Sequence, residues 1–324
     1  MRRAGIVGLG MYVPPKVLTN RDLERMVDTS DEWIRQRTGI EERHIADPGV
    51  GSSDLGVQAA RAALADAGCG PEDLDLILVA TTTPDQPFPT TAVMVQKGLE
   101  AWQAGAVDVG ATCSGFIYGL SLATSMVESG RMNKVLVIGA ETLSRITNWK
   151  DRATCVLFGD GAGAAVVAEV SQGGIQAFEL GADARGTEFL NVWVGGFKKP
   201  VTAELLESSD RYINMTGREV FKFAVRTMEE SVRRVADRAW GGLEVDLLVP
   251  HQANARIIEA VGQRLGLADK AWINIQHYGN TSAASIPMAL TEARDAGRLS
   301  PGTRVAMTAF GGGFTYASAA LEWV

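Results

Sequence analysis

Nucleophilic and acid–base chemistry in this chain narrows to a few side chains. Its 324 residues contain three cysteines, at positions 69, 113 and 155, and three histidines, at 44, 251 and 277. Cys113 follows a strand-like Ala106–Val109 and a tight Gly110-Ala111-Thr112, and it precedes a helix-like stretch carrying Gly115 and Gly119. That places its sulfur at a helix N-terminus, where the positive end of the helix dipole is expected to lower the thiol pKa and favour the reactive thiolate. Free cysteines are more often small buried hydrophobes. Cys69, in a Gly-Cys-Gly turn, and Cys155, in an apolar strand-like run, fit that bland role.

His251 stands directly after the apolar run Leu247–Pro250, hence at the carboxyl end of a strand, as Cys113 does. Reacting groups in α/β folds gather beyond the carboxyl ends of strands, so His251 is the histidine expected to do chemistry. His44, in a charged stretch, reads as a surface or loop residue. His277, just before a glycine turn, reads as a packing or hydrogen-bonding group. Asn280 precedes a helix and on its own reads equally well as a cap or turn residue. The last apolar run ends in Phe310-Gly311-Gly312-Gly313-Phe314. Glycines there permit close backbone approach to a ligand, and a backbone N–H can then serve as an oxyanion donor; a bulge or turn is equally consistent. Phe158-Gly159-Asp160-Gly161-Ala162-Gly163 lacks the dinucleotide-binding pattern and leads into a strand, so a structural turn is expected.

The elements that must position these groups alternate between strand-like and helix-like. Ile6–Leu9, Leu74–Ala80, Ala106–Val109, Val135–Gly139 and Ala162–Val170 read as strands; Gly51–Gly68, Ser114–Ser129 and Val220–Ala239 read as helices. Such alternation favours a layered α/β fold. Three segments echo each other at nearly one spacing. Asp75–Val79 resembles Asp246–Val249 at an offset of 171, Gly110–Ser114 resembles Gly279–Ala283 at 169, and Lys134-Val135 resembles Arg304-Val305 at 170. A duplicated unit is expected, with halves 1–170 and 171–324 facing each other across a pseudo-twofold axis. Cys113 then stands where Ser282 stands in the second half.

Composition is that of an ordinary globular protein, with 46% hydrophobic and 21% charged residues. The net charge of −7 argues against a general nucleic-acid binder. No apolar run approaches the roughly 18 residues of a membrane span, and the N-terminus lacks the apolar stretch of a signal peptide. Three scattered cysteines are too few for a disulfide framework or a zinc site, so no metal is expected and a cytoplasmic, reducing location is.

Taken in order, several segments resemble the β-ketoacyl-acyl-carrier-protein synthase III family, the initiating condensing enzymes of type II fatty-acid synthesis. They are Asp31–Ile40, Asp108–Phe116, Asp151–Gly163, His251–Asn254, Gly279–Pro287 and Gly311–Thr315. The resemblance implies the thiolase-like fold, two duplicated α/β halves in an α-β-α-β-α layering. It implies a catalytic set of Cys113, His251 and Asn280, with the N–H groups of Cys113 and Gly312 as the oxyanion hole. It implies decarboxylative condensation of a short acyl-CoA with malonyl-acyl carrier protein and no cofactor, acyl-CoA being a substrate.

Further roles follow from the resemblance alone. Trp33 and Arg152 would stack on the CoA adenine, while Arg37, Gly217, Phe221 and Asn254 would line the CoA path. Lys222 and Arg256 would dock the acidic carrier protein. Leu157, Phe158 and Phe310 would border the acyl pocket, together with Phe88 supplied by the other subunit of a homodimer. The segments Asn148–Lys150 and Gly195–Pro200 depart from the family forms and leave the choice of primer open. An acyltransferase or condensing enzyme of secondary metabolism, a cysteine hydrolase and a non-catalytic scaffold are the alternatives; retention of all three catalytic residues weighs against the last.

Overall fold

The structure, a computed structural model, describes residues 2–324. Two sheets carry the fold. In the first, the strands run in the order Arg3–Tyr12, Asp160–Val170, Lys134–Thr142, Leu76–Ala80, Gly105–Val109. The first two pairings are antiparallel and the next two parallel. The second sheet repeats this order and sense with Gly174–Ala182, Thr315–Glu322, Arg304–Gly311 and Leu247–Pro250. Its fifth position is reduced to a single parallel bridge between Leu248 and Ala271.

The two sheets sandwich a pair of helices, Gly115–Glu128 and Ser285–Asp295, whose Phe116, Ile117, Leu120, Ile286, Ala289 and Leu290 pack between strand residues of both sheets. The Ser52–Ala67 helix covers the outer face of the first sheet and the Gly217–Trp240 helix that of the second. The result is the five-layer, pseudo-twofold arrangement expected. The strands buried on both faces read as continuous apolar runs because neither face meets water. The helix expected over 51–68 spans Ser52–Ala67, stopped by Gly68 at φ 63°, where a side chain would be strained. Among the described residues no helix is long and apolar enough to cross a membrane.

The repeat is real but its register shifts at the turn that carries the nucleophile. Thr112 and Ser282 are the residues with matching left-handed φ, 46° and 49°. Each opens a short 3-10 turn, Thr112–Ser114 or Ser282–Ala284, that feeds a central helix. The second half has one extra residue between its glycine and this turn. Ala283, not Ser282, is therefore the counterpart of Cys113.

Two local expectations also change. Cys155 lies buried in a turn, not a strand. Gly161 and Gly163 lie within a strand, and Gly159 just ahead of it. A Cβ on Gly159 would run into the carbonyl oxygen of Tyr278, and one on Gly163 would stand 2.7 Å from the Met288 nitrogen. These glycines let the two halves meet at close range.

Candidate active site

A cavity of about 810 Å³ opens where the halves meet, and Cys113, His251, Asn280, Ser282 and Gly312 all line it. Asn280 and Ser282 share one turn, and the other three come from separate strand ends or turns. Cys113 sits in the 3-10 turn after the Gly105–Val109 strand, two residues ahead of the helix that starts at Gly115. Thr315 pins this turn, donating from Oγ1 to the Ala111 carbonyl at 2.9 Å and meeting the Ser114 hydroxyl at 2.9 Å. Thr112 Oγ1 donates to the Gly312 carbonyl at 3.0 Å. A Cβ on Gly311 would stand 2.5 Å from Thr112 Oγ1 and 2.8 Å from the Cys113 nitrogen, so only glycine lets the last turn come this near.

The backbone N–H groups of Cys113 and Gly312 and the Ser282 hydroxyl lie near enough to the Cys113 sulfur to favour its thiolate. The thiol itself departs from expectation. Cys113 keeps some exposure, to the cavity, but its sulfur lies deep in the protein, and burial pushes the thiol up to about 11. The Ser282 hydroxyl and the two N–H groups oppose that rise and the nearby Glu141 adds to it. Desolvation of the anion is the largest of these effects.

His251 is buried, its backbone N–H donating to the Thr308 carbonyl at 2.7 Å. Burial holds its pKa down at about 3, so the ring is neutral. Nδ1 lies 2.6 Å from the Ser285 hydroxyl, which also accepts the Gln252 N–H at 3.3 Å. Gln252 fixes the loop by donating to the carbonyls of Pro250 and Trp272. Asn280 is clamped by its backbone to Leu157 and Gly159. Its Oδ1 accepts the Ser282 N–H at 2.9 Å, which leaves the Nδ2 hydrogens for the cavity.

Leu157, Phe158, Phe310, Gly217, Phe221 and Asn254 also line the cavity. Asn254 has structural duties besides, capping the Ala255–Leu265 helix and donating to the Arg37 carbonyl at 3.1 Å. Trp33, Arg37 and Arg152 form a separate cluster outside the cavity lining. The Arg152 guanidinium lies 4.7 Å from the Trp33 ring centre and that of Arg37 lies 5.9 Å away. Phe88 is 83% exposed and does not line the cavity of its own chain. Arg256 is exposed, while Lys222 pairs with Glu219 at 3.1 Å. Cys69 and Cys155 lie elsewhere, and no group of three or more His, Cys, Asp or Glu among the described residues could hold a metal ion.

Ser285, Thr315 and Glu141 also belong to the site and are not among the residues that the sequence motifs single out. Glu141 had a readable signal, an acid at the carboxyl end of the apolar run Val135–Ala140. That is the criterion that singled out His251.

Comparison with known proteins agrees with this geometry. Residues 107–184 match the family model described as 3-oxoacyl-[acyl-carrier-protein (ACP)] synthase III, and residues 236–323 match its C-terminal model. The beta-ketoacyl-[acyl-carrier-protein] synthase III of Caldanaerobacter subterraneus is 54% identical over 325 residues, covering 99% of this chain and 98% of the relative. That of Bacillus pumilus is 54% identical over 323 residues, covering 99% of each. The crystal structure of the Aquifex aeolicus 3-oxoacyl-[acyl-carrier-protein] synthase III superimposes with a TM-score of 0.92 at 48% identity, covering 99% of this chain and 100% of that one. The chain belongs to the 3-oxoacyl-[acyl-carrier-protein] synthase III family.

Proposed function

We propose that this protein condenses a short acyl-CoA primer with malonyl-acyl carrier protein, releasing CO2 and CoA and giving 3-oxoacyl-acyl carrier protein to initiate fatty-acid synthesis. The observation that carries the reading is the convergence of Cys113, His251, Asn280 and Gly312 in one cavity. The sulfur attacks the acyl-CoA carbonyl, and the resulting thioester stays activated for a second attack. The malonyl thioester carbonyl then sits between His251 Nε2–H and Asn280 Nδ2–H. Loss of CO2 leaves an enolate whose oxygen these donors stabilise, and each such donor is worth about 10²–10³ in rate. The enolate carbon attacks the acyl-Cys113 carbonyl. The N–H groups of Cys113 and Gly312 hold that oxyanion, and collapse frees the product.

No cofactor or metal enters this scheme. The halves correspond to 1–170 and 171–324, the last strand of one sheet ending at Val170 and the first of the other starting at Gly174. Trp33, Arg152 and Arg37 receive the CoA nucleotide, and Gly217, Phe221 and Asn254 flank its arm. Arg256 and Lys222 attract the acidic carrier protein. The working unit is a homodimer: Gly105–Val109 is an open sheet edge with Val107 46% exposed, and Phe88 projects nearby to enter the partner's acyl pocket. The protein acts in the cytoplasm, on neither membranes nor nucleic acid.

Intact-mass measurement after incubation with a panel of acyl-CoAs tests the reading. A single acyl adduct is expected, absent in Cys113→Ala, followed by CO2 release on adding malonyl-acyl carrier protein. Labelling at Cys69 or Cys155 instead would overturn it, and the chain that labels fastest identifies the primer.

A further inference from the structure

The scheme leaves one buried cation unused. Arg43, in the middle of the short Glu42–His44 strand, is wholly buried. Burial lowers it to about 10, against the opposing pull of Cys155 and Glu42, so it remains charged at neutral pH. Its hydrogen-bond acceptors are all uncharged oxygens. Nη1 donates to the Leu18 carbonyl at 3.2 Å and to Asn20 Oδ1 at 2.9 Å, and Nη2 donates to the Val156 carbonyl at 2.7 Å. Nε is buried without an acceptor. Burying a cation that no carboxylate pairs with is costly, and an apolar side chain of similar volume would fill the space at lower cost. Packing alone does not call for a guanidinium here.

The guanidinium joins two distant pieces of chain. Leu18 lies in the Val17–Thr19 strand, which pairs with Glu42–His44, and Asn20 follows it. Asn20 is held in turn, its Nδ2 donating to Asp31 Oδ1 at 2.8 Å and to the Ile40 carbonyl at 2.7 Å. Val156 lies 113 residues beyond Arg43 and opens the segment that grips Asn280. The Asn280 N–H donates to the Leu157 carbonyl at 2.8 Å, and the Gly159 N–H donates to the Asn280 carbonyl at 3.1 Å. These two bonds form an isolated parallel bridge between Phe158 and Asn280, outside either sheet. The Arg43 stem backs the same clamp. A Cβ on Gly159 would stand 3.0 Å from Arg43 Cβ, and one on Gly279, just before Asn280, would stand 3.3 Å from it.

We propose that Arg43 is a positioning residue for Asn280: it fixes the Val156–Gly159 segment and through it aims the Asn280 amide at the malonyl thioester carbonyl. This rests on the reading of Asn280 as a donor to the enolate. Arg43 does not line the cavity, so it acts only through the clamp. The amide's orientation is set by the Ser282 N–H on Oδ1 at 2.9 Å, but its place in the cavity is set by the segment that Arg43 holds. An isolated bridge has no neighbouring strands to keep it in place, and a misplacement of about 1 Å can cost a hundredfold in rate. A planar fork that bonds the hairpin on one side and Val156 on the other supplies the missing anchor, which a single ammonium does less well.

The test is a double-mutant cycle on CO2 release from malonyl-acyl carrier protein, with Cys113 acylation by an acyl-CoA measured alongside. Arg43→Met keeps the stem and removes the three hydrogen bonds. It should lower CO2 release about tenfold to a hundredfold, the scale of a displaced reacting group, and leave acylation within about threefold of wild type. Arg43→Lys keeps the charge but cannot bridge both sides, and should lose about three- to tenfold. In Asn280→Ala the amide is already gone, and either Arg43 substitution should cost less than about twofold more. A merely structural role would cost the same fold in both backgrounds. If Arg43→Met does not fold, Arg43→Lys carries the cycle. Losses that multiply with Asn280→Ala, an equal fall in both half-reactions, or wild-type CO2 release in the variant that carries the cycle would each overturn the proposal. A wild type that releases no CO2 from malonyl-acyl carrier protein would instead overturn the condensation reading.

Discussion

His251 Nδ1 lies 2.6 Å from the Ser285 hydroxyl, and that hydroxyl already accepts the Gln252 N–H. The hydroxyl has one hydrogen and a second lone pair, so it can either donate to Nδ1 or accept from it. The proposed decarboxylation needs a donor on Nε2, and a Ser285 hydroxyl donating to Nδ1 is the arrangement that supplies it. In that arrangement Ser285 is a positioning residue that selects the tautomer.

Ser285→Ala should lower CO2 release from malonyl-acyl carrier protein about tenfold, the worth of one well-placed hydrogen bond. Acylation of Cys113 should stay within twofold of wild type. Ser285→Thr, which keeps the hydroxyl, should restore most of the loss. Equal losses in both half-reactions would show a general disturbance of the site.

The pH behaviour of His251 follows from its burial. Its pKa is about 3 in the folded protein, against about 6.5 for a free histidine. Between those values the unfolded chain binds the proton and the folded one does not, so stability rises with pH there. The His251 contribution is complete above about pH 6.5 and is lost progressively as pH falls toward 3. Urea midpoints measured from pH 4 to 7 should fall with acid less steeply in His251→Asn than in the wild type. Decarboxylation by the wild type should show no limb near pH 6.5, because the ring is already neutral.

Placement of the three central residues was legible in the sequence because each follows or precedes an apolar run whose end can be read locally. The duplication was legible too, but not its register. One residue inserted before Ser282 moves that hydroxyl from the position opposite Cys113 to the position opposite Thr112, and only the matching φ values reveal it. Burial was hidden for a different reason. A helix N-terminus is visible in a string of residues, whereas the depth that drives Cys113 the other way depends on both halves closing over it. The supports of the site were hidden by distance along the chain: Thr315 acts on Ala111 and Glu141 on Thr81–Thr83, 204 and about 60 residues apart. The Trp33–Arg152 pair came from family resemblance alone.

That pair is closed on itself. At 4.7 Å from guanidinium to ring centre it has no room for a base, which would require about 7 Å between the flanking groups. If this pair receives the adenine as proposed, the two groups must part, and a swing of Arg152 would break its 2.8 Å bond to the Asp28 carbonyl. Arg152→Ala should raise KM for acyl-CoA about tenfold, within the range of a desolvated cation–π contact. KM for an acyl-pantetheine lacking the nucleotide should not move. A parallel rise for both donors would place Arg152 outside nucleotide recognition.

Gly139 tests how closely the halves must meet. It lies on the Lys134–Thr142 strand, two residues before Glu141, and a Cβ there would run into the Ala283 carbonyl oxygen and stand 3.0 Å from the Ala284 nitrogen. Both obstacles are backbone atoms in the turn that begins at Ser282, and neither can rotate away. Overpacking a core costs about 1–3 kcal/mol when side chains can adjust, so Gly139→Ala should reach or exceed the upper figure. Gly161→Ala is the control. Its Cβ would meet only side chains, the nearest being Met288 Sδ at 3.1 Å, and that flexible thioether can move. Urea unfolding should therefore separate the two variants by about 2 kcal/mol or more. The more destabilised one should also acylate slowly, because any shift of the Ser282 turn carries Asn280 and the Cys113 environment with it. Equal stability of the two variants would mean that the halves can part at this seam without strain.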